Sequence, residues 1–319
     1  MSAPQERYRS WLPHGFDFES AARTAKRLEL EQSIRQLFAA RQYTEVAPPL
    51  LDYAHTFSLT VASAPLTERS FEFYGSHGDN LAIRSDTTIQ IIKAFANRRL
   101  SASLPARFGC IQSVYYNQPW GAGHRREVHQ ASLELLGPGT ERFLEILAMS
   151  RAVCALSGRE LQIVFGDARY VSHVLEFIPM EKRSMAALHF YNKDVHELQL
   201  LAEHLQLNPQ QKSILCETPL ITGNAAEVLP RLNQICNTHP ELLKILADAE
   251  SVQDVLFDFS LVRELSYYTG PVFEGYIEGA ADRIASGGIY DELHRQFSDT
   301  DLSACGAALN LTALLDAIL

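Results

Sequence analysis

The stretch from Leu261 to Glu274, LVRELSYYTGPVFE, combines residue types that could form a ligand pocket. It places Arg263 and the adjacent tyrosines Tyr267 and Tyr268 between apolar runs. A buried guanidinium needs carboxylate or carbonyl partners, and a buried tyrosine hydroxyl needs a hydrogen-bond partner. If the stretch is buried, it predicts a pocket with matching acceptors elsewhere in the chain. The alternative is an edge strand with Arg263 in solvent, and the stretch alone favours neither.

Candidate acceptors lie on a predicted strand from Glu127 to Leu136. Side chains alternate between the two faces of a strand, so Gln130 and Glu134 project to the same side. His129 lies on the other, mostly apolar face and is expected to be a core histidine. The alternative is that Gln130 and Glu134 are two exposed polar residues, which is the commoner case for a strand considered alone.

Asp86 is a further candidate, because it stands where a predicted strand passes into a predicted helix. The segment Arg84-Ser85-Asp86-Thr87-Thr88 precedes the apolar run IQIIKAFANRR. An aspartate at this place can cap the first turn of the helix, and the local sequence favours that role. A carboxylate facing a pocket is the alternative.

These residues are carried by alternating predicted strands and helices, which indicates an α+β fold. An amphipathic helix is predicted for Ser20 to Arg41, and a hairpin for the runs on either side of 75–79. From Tyr170 to Val252 strand patterns nearly vanish. Prolines are predicted to divide the segment into short helices, at Pro179, Pro209, Pro219, Pro230 and Pro240. We therefore expect a largely helical insertion, since strand patterns resume at Asp254.

The composition is that of a globular protein, with 319 residues, 46% of them hydrophobic and 21% charged. The net charge of -10 disfavours nucleic-acid binding, which depends on lysine and arginine. The N-terminal residues lack an apolar signal core, and no apolar run could span a bilayer. Five scattered cysteines without a CxxC pair indicate buried thiols in a reducing compartment. We expect a cytoplasmic protein that binds neither membranes nor nucleic acid.

Motifs of nucleotide-binding loops and of common hydrolases are not found. The sequence contains no GxxxxGK[ST], GxGxxG, HExxH or GxSxG pattern. The eleven histidines have no metal-binding spacing, and no serine or cysteine stands out as a nucleophile. We therefore expect no metal, no cofactor and no nucleophilic catalysis.

Several segments together resemble histidyl-tRNA synthetases. The stretch LVRELSYYTGPVFE and the later SGGIYDEL are similar to the two signature segments of that family, and RFGCIQSVYYNQPWGAGHRREVHQASLELLG is similar to its motif 2 region. PPLLDY resembles motif 1, and IRSDTT resembles the segment that grips the histidine amino group. The resemblance implies a class II synthetase-like antiparallel sheet flanked by helices, formed by residues 1–169 and 253–319. Residues 170–252 would be the helical insertion, and no anticodon-binding domain is expected.

The resemblance also implies a pocket for histidine. Asp86 and Thr88 match the residues around the α-ammonium group, and Gln130 and Glu134 match those that hold the amino group and imidazole. Arg263 matches the arginine that meets the carboxylate. The remaining matches are tyrosines, of which Tyr290 has the weakest correspondence: Tyr267, Tyr268 and Tyr290. These groups suit the chemistry of a free amino acid, because they supply a carboxylate for an ammonium and a guanidinium for a carboxylate.

The sequence departs from active synthetases where they bind ATP. Tyr115 occupies the place of the motif 2 arginine that holds the α-phosphate, and Asn117 replaces an acidic residue. In motif 3, Thr312 and Ala313 replace an acidic residue and an arginine. A neutral side chain cannot substitute for a guanidinium on a polyphosphate. We therefore expect no catalytic residues and no adenylation.

A synthetase fold that keeps histidine recognition without ATP chemistry resembles the regulatory subunits of ATP phosphoribosyltransferase. The resemblance implies a non-catalytic subunit of the first step of histidine biosynthesis, which supports a short catalytic subunit and mediates histidine feedback. It implies self-dimers within a hetero-octamer of four regulatory and four catalytic chains, with free histidine as the ligand. The alternatives are an active histidyl-tRNA synthetase-like enzyme and a stand-alone histidine-binding paralogue.

Overall fold

The structure is a computed structural model that describes residues 12–61, 70–118, 125–139, 141–261 and 268–319. The strands are, in chain order, β1 (Thr44–Glu45), β2 (Leu51–Tyr53), β3 (Glu72–Tyr74), β4 (Asn80–Ile83), β5 (Ala106–Tyr115), β6 (Glu127–Leu136), β7 (Gln162–Asp167), β8 (Thr222–Gly223), β9 (Leu256–Asp258), β10 (Pro271–Tyr276), β11 (Ala285–Ile289) and β12 (Ala304–Asn310). The helices are α1 (Ala21–Ala40), α2 (Ala54–Val61), α3 (Thr88–Ala96), α4 (Arg142–Ala155), α5 (Ala168–Leu175), α6 (Met180–Tyr191), α7 (Val195–His204), α8 (Pro209–Glu217), α9 (Ala225–Ile235), α10 (Pro240–Ala249) and α11 (Leu311–Asp316). Short 3₁₀ turns occupy Thr218–Leu220 and Leu293–Gln296.

A large sheet forms the centre of the described part of the chain. Its strand order is β1-β5-β6-β12-β11-β10-β7-β9-β8. The strands from β5 to β7 in this order pair antiparallel, as does β8 with β9. The pairs β1/β5 and β7/β9 are parallel. The predicted α+β class, with an antiparallel sheet flanked by helices, is therefore confirmed, with parallel pairing limited to two outer positions.

A second, small sheet has the order β2-β4-β3. Strands β3 and β4 pair antiparallel around residues 75–79, so the predicted hairpin is confirmed. Strand β2 pairs with the other side of β4 and lies at the edge, as expected for an extended segment that follows Pro48-Pro49.

Helix α1 packs on the large sheet through one stripe of side chains. Ser20 caps its first turn by accepting a hydrogen bond from the backbone N–H of Arg23. Ile34 and Phe38 are buried, and the Phe38 ring lies directly over Gly109 of β5. A Cβ at residue 109 would overlap that ring, so the glycine permits the close approach of helix and sheet.

The helices α5 to α10 lie between β7 and β9 in the chain, where the sequence predicted a helical segment. Their apolar side chains share one continuous core with the large sheet. Prolines begin α8 and α10, but Pro230 lies inside α9 rather than at a helix boundary. The buried face formed by Val228, Leu229 and Leu232 outweighs the hydrogen bond that the proline removes. The division into a core and an insertion at 170–252 stays a prediction.

The five cysteines are free and buried, as the sequence predicted. Among the described helices, none is both long enough and apolar enough to cross a bilayer.

Candidate ligand-binding site

A cavity of about 500 Å³ opens above the middle of the large sheet. Its floor comes from strands β12 and β11, and its walls come from the start of α3, strand β6, strand β10 and the residues that precede β11. The tyrosine Tyr191, at the end of helix α6, also lines it. The volume is in the range of sites that bind small molecules.

The floor of the cavity is made of small residues in matched register. Gly306 of β12 lies opposite Glu134 on one side and Gly288 on the other, and Ala308 lies opposite Ser286. A Cβ at Gly306 would lie 2.6 Å from the Leu133 carbonyl oxygen and would overlap the Glu134 carboxylate. The cavity therefore exists because large side chains are missing from this row.

Glu134 lies behind one wall of the cavity, and none of its surface is exposed. Its Oε1 accepts a hydrogen bond of 2.6 Å from the Thr88 hydroxyl, and its Oε2 accepts one from the Tyr290 hydroxyl. Burial raises its pKa well above the ordinary value, and the nearby Asp86 charge raises it further, against the lowering effect of the Thr88 bond. The carboxyl group is therefore held in a place that favours its neutral form.

Asp86 combines the two roles that the sequence left open. Its Oδ1 accepts a hydrogen bond of 3.3 Å from the backbone N–H of Ile89 in the first turn of α3, and its side chain also lines the cavity. Burial raises the pKa of Asp86, while bonds from the N–H groups of Ile89 and Thr88 oppose that effect. A cation in the cavity would find an acidic group there.

Gln130 and Glu134 are buried on the same side of β6, with 7% and 0% exposure. The alternative of a solvated strand face is therefore wrong, because α3 covers this side of the sheet. The Gln130 amide donates to the hydroxyls of Thr87 (3.3 Å) and Ser132 (3.2 Å). On the opposite side of β6, His129 is mostly buried and its Nε2 lies 3.0 Å from Glu31 Oε1, as suits a histidine held in the structure.

The structure brings most of the predicted site residues to this one cavity. Residues that line it are Asp86, Thr88, Gln130, Tyr268 and Tyr290. Glu134 lies directly behind Thr88 and Tyr290. The rings of Tyr268 and Tyr290 have centroids 6.4 Å apart. Arg263 and Tyr267 lie outside the described residues.

The wall opposite Glu134 contains a group that the sequence did not single out. Glu274 of β10 is buried and accepts hydrogen bonds from Arg283 and from the Tyr276 hydroxyl. The hint in the sequence was a carboxylate in the middle of the apolar run Pro271 to Tyr276, because a buried acid requires a partner.

The side of the cavity near α11 carries its own hydrogen bonds. Asp316 accepts from Arg23 at 2.7 Å and from Arg125 at 3.2 Å. The Thr312 hydroxyl accepts a bond of 2.9 Å from the backbone N–H of His129, while Ala313 offers no polar side chain. The arginines at this end are thus already paired with a protein carboxylate.

The charged side chains that line the cavity suit a small molecule with both a cationic and an anionic group. Asp86 supplies an acidic group at one wall, and Arg283 supplies a guanidinium at the other. Charge-assisted hydrogen bonds of these kinds contribute about 1.5–3 kcal/mol each.

Replacing Glu134 by glutamine should stabilise the ligand-free protein above the unfolded-state pKa of glutamate, about 4.3. Because the folded-state pKa is raised, the contribution of Glu134 to stability is present below the unfolded pKa and is lost as the pH rises through the folded pKa. The glutamine side chain does not ionise, so the variant does not lose stability in this way as the pH rises. The difference in unfolding free energy between variant and wild type should therefore grow with pH by up to about 1.4 kcal/mol per unit.

The difference can be measured by chemical denaturation at several pH values. Glu278→Gln, at an exposed position, is the matched control and should show little change with pH. If the unfolding free energies of the two variants changed with pH in the same way, the raised pKa of Glu134 would be contradicted.

Comparison with known proteins places this architecture in a family. The family model described as histidyl-tRNA synthetase matches residues 15–314. A relative from Leptospira interrogans named ATP phosphoribosyltransferase regulatory subunit is 28% identical, over 98% of this chain and 96% of its own length. A relative with the same name from Caldanaerobacter subterraneus is 26% identical, over 97% of this chain and 83% of its own length. Another from Lactococcus lactis is 29% identical, over 85% of this chain and 86% of its own length.

Solved structures show the same fold. A Bacillus halodurans protein described as an ATP phosphoribosyltransferase regulatory subunit/histidyl-tRNA synthetase superposes with a TM-score of 0.81 at 24% identity, covering 97% of this chain and 83% of that one. A histidyl-tRNA synthetase from Nostoc superposes with a TM-score of 0.76 at 19% identity, covering 96% and 74%. Because the family model extends over nearly the whole sequence, this chain belongs to the histidyl-tRNA synthetase family.

Proposed function

We propose that this chain is a regulatory subunit of ATP phosphoribosyltransferase, without catalysis of its own. It would support the activity of the short catalytic subunit and mediate histidine feedback on the first step of histidine biosynthesis. The observation that carries the proposal is the near end-to-end match to relatives with that name, over 85–98% of this chain.

Free histidine is the proposed ligand of the cavity. Asp86 and Gln130 would hold the ammonium group with Thr88, and Glu134 would meet the imidazole, directly or through the hydroxyls that it orients. The proposal is supported by a group of polar side chains that line one cavity, Asp86, Thr88 and Gln130. Residues proposed to complete the site are Arg263, Tyr267, Tyr268 and Tyr290.

The proposal of a non-catalytic role rests on the positions that the family uses for ATP. Tyr115 donates its hydroxyl to Glu127 at 3.0 Å, and Thr312 accepts from the backbone of His129. Neither side chain, nor Ala313, carries the positive charge that a polyphosphate requires. Removing one donor that stabilises developing charge costs about 3 kcal/mol, so the loss of two arginines would suppress adenylation.

The proposed assembly pairs this chain with itself and with the catalytic subunit, in a cytoplasmic hetero-octamer. A synthetase-like core at 1–169 and 253–319 would carry the pocket, and the helical insertion would occupy 170–252. Histidine would shift the conformation of the regulatory dimer, and the catalytic subunit would respond. Such a shift requires that histidine bind one conformation better than the other, with a coupling of about 1–3 kcal/mol.

Co-expression with a short catalytic subunit tests this assignment against its alternatives. The two chains should co-purify as one complex, and this chain alone should show no histidine-dependent ATP–pyrophosphate exchange. Exchange activity would instead indicate an active synthetase-like enzyme. Histidine binding by a chain that neither associates with nor activates the catalytic subunit would indicate a stand-alone histidine-binding protein.

A further inference from the structure

Helix α6 brings the helical segment into contact with the ligand cavity. Phe190 in its last turn is buried in the core that the helices share with the large sheet. The next residue, Tyr191, is half-buried and lines the cavity. Among residues 170–252, all of which the structure describes, Tyr191 is the one that does so. A molecule in the cavity therefore lies beside the end of α6 as well as beside the strands.

Arg283 connects Tyr191 with the rest of the cavity wall. Its guanidinium is paired with the buried Glu274, which also accepts a hydrogen bond of 2.5 Å from the Tyr276 hydroxyl. Burial lowers the pKa of Arg283, but Glu274 raises it above the ordinary value for arginine. Electrostatic interactions with Tyr191 and Tyr268 raise this pKa further, by smaller amounts. Arg283 therefore interacts with one tyrosine of α6 and with one that precedes β10.

The second of these tyrosines leads to the acidic side of the cavity. The ring centroids of Tyr268 and Tyr290 lie 6.4 Å apart, and the Tyr290 hydroxyl donates to Glu134. Tyr268 also lies against the sheet, because a Cβ at Gly288 would be 2.8 Å from its ring. A continuous series of interacting side chains therefore runs from Glu134 to Tyr191.

The turn that follows α6 is fastened to the large sheet. Lys193 adopts a left-handed conformation with a φ of 58°, and the N–H of Asp194 bonds to the carbonyl of His189. Glycine is the usual residue in such a helix end, because it has no side chain to crowd the backbone. Here the Lys193 Nζ donates to Asp258 of β9 at 2.6 Å and to the Pro219 oxygen at 3.0 Å. The end of α6 is thus held by β9 just beyond the residue that lines the cavity.

This arrangement couples the cavity to the stability of one helical turn. Hydrogen bonds at the end of a helix open more readily than those in the core, because fewer contacts must be broken. In α6 such opening would carry the Tyr191 side chain away from the cavity wall. A ligand that contacts Tyr191 or Arg283 keeps those contacts only while the turn is closed. Occupancy of the cavity therefore stabilises the closed turn, by as much as the ligand prefers it.

We propose that Tyr191 connects occupancy of the cavity to the last turn of α6, so that the helical segment responds when a ligand binds to the sheet. This inference rests on the proposed binding of histidine, and it adds the element that carries the effect of histidine out of the cavity. Tyr191 is a positioning residue in this arrangement, because it acts through α6.

Hydrogen–deuterium exchange of the whole chain, with and without L-histidine, tests the inference. In the wild type, histidine should slow exchange by about fivefold or more both in the first turn of α3, which carries Thr88, and in residues 188–194. Tyr191→Phe removes only the hydroxyl group. In this variant the slowing in α3 should remain, whereas the slowing in 188–194 should fall below about twofold. Tyr191→Ala should give the same result.

The response of α3 shows that each variant still folds and binds histidine. Met180→Ala changes an exposed side chain at the other end of α6 and should match the wild type in both places. Slowing in 188–194 that persisted in both Tyr191 variants would overturn the role of Tyr191. Slowing confined to α3 in the wild type would overturn the connection to α6, while the histidine pocket would stand. Calorimetric titration that detected no binding of histidine by the wild type would overturn the pocket itself, and this inference with it.

Discussion

Glu134→Ala is expected to weaken histidine inhibition of the reconstituted phosphoribosyltransferase by about 10- to 100-fold, without preventing assembly of the complex. The carboxyl group accepts hydrogen bonds from Thr88 and Tyr290, so its loss removes the acceptor of two hydroxyls at the cavity. Leaving a buried donor without its acceptor costs about 1–3 kcal/mol, and each 1.4 kcal/mol is a tenfold change in affinity. The measurement is the histidine concentration that halves the rate of phosphoribosyl transfer.

Two controls separate the pocket from general damage. Glu278→Ala changes an exposed glutamate and should leave the inhibition curve unchanged. Size-exclusion chromatography should show the same complex for both variants. Inhibition by histidine that is the same in Glu134→Ala and in wild type would mean that histidine acts at another site.

Gly306→Ala is expected to damage the pocket and to destabilise the protein. A Cβ at this position would overlap the Glu134 carboxylate and the Tyr290 hydroxyl, and it would also lie 2.6 Å from the backbone oxygen of Leu133. The Leu133 oxygen belongs to the backbone of the paired strand β6, so it cannot move aside as the end of a flexible side chain could. Overpacking of this kind costs about 1–3 kcal/mol of stability. Histidine binding should fall at least tenfold as well.

Thermal denaturation with and without histidine measures both effects in one experiment. Gly139→Ala is the matched control, since its Cβ would meet only the flexible side chain of Arg142, at 3.2 Å. That variant should keep the melting temperature and the histidine-induced shift of the wild type. If Gly306→Ala behaved in the same way, the row of small residues would not form the floor of the ligand site.

Local sequence patterns predicted part of the geometry of this cavity, and the family resemblance supplied the proposed set of ligand residues. Period-two alternation along β6 was enough to place Gln130 and Glu134 on the same side. Alternation could not determine whether that side is buried, since burial depends on α3, which lies about forty residues earlier in the chain. For the same reason Asp86 could be predicted as a cap, while its position in the cavity depends on the sheet beside it.

The features that the sequence did not predict depend on contacts between distant segments. The ion pair of Glu274 and Arg283 forms across a hairpin, and the Arg23–Asp316 pair joins residues 293 positions apart. Pro230 indicated a helix boundary, but burial of the apolar face of α9 keeps the helix continuous. In each case tertiary packing decides between structures that local propensity leaves open.

We expect this chain to activate a short phosphoribosyltransferase subunit and to make it sensitive to histidine. The most direct test is the rate of phosphoribosyl transfer to ATP by that subunit, measured alone, with this chain, and with this chain plus histidine. We expect a low rate for the catalytic subunit alone, a marked increase when this chain is added, and loss of that increase as histidine is added. A rate that is unaffected by this chain, at concentrations where both proteins are folded, would contradict it.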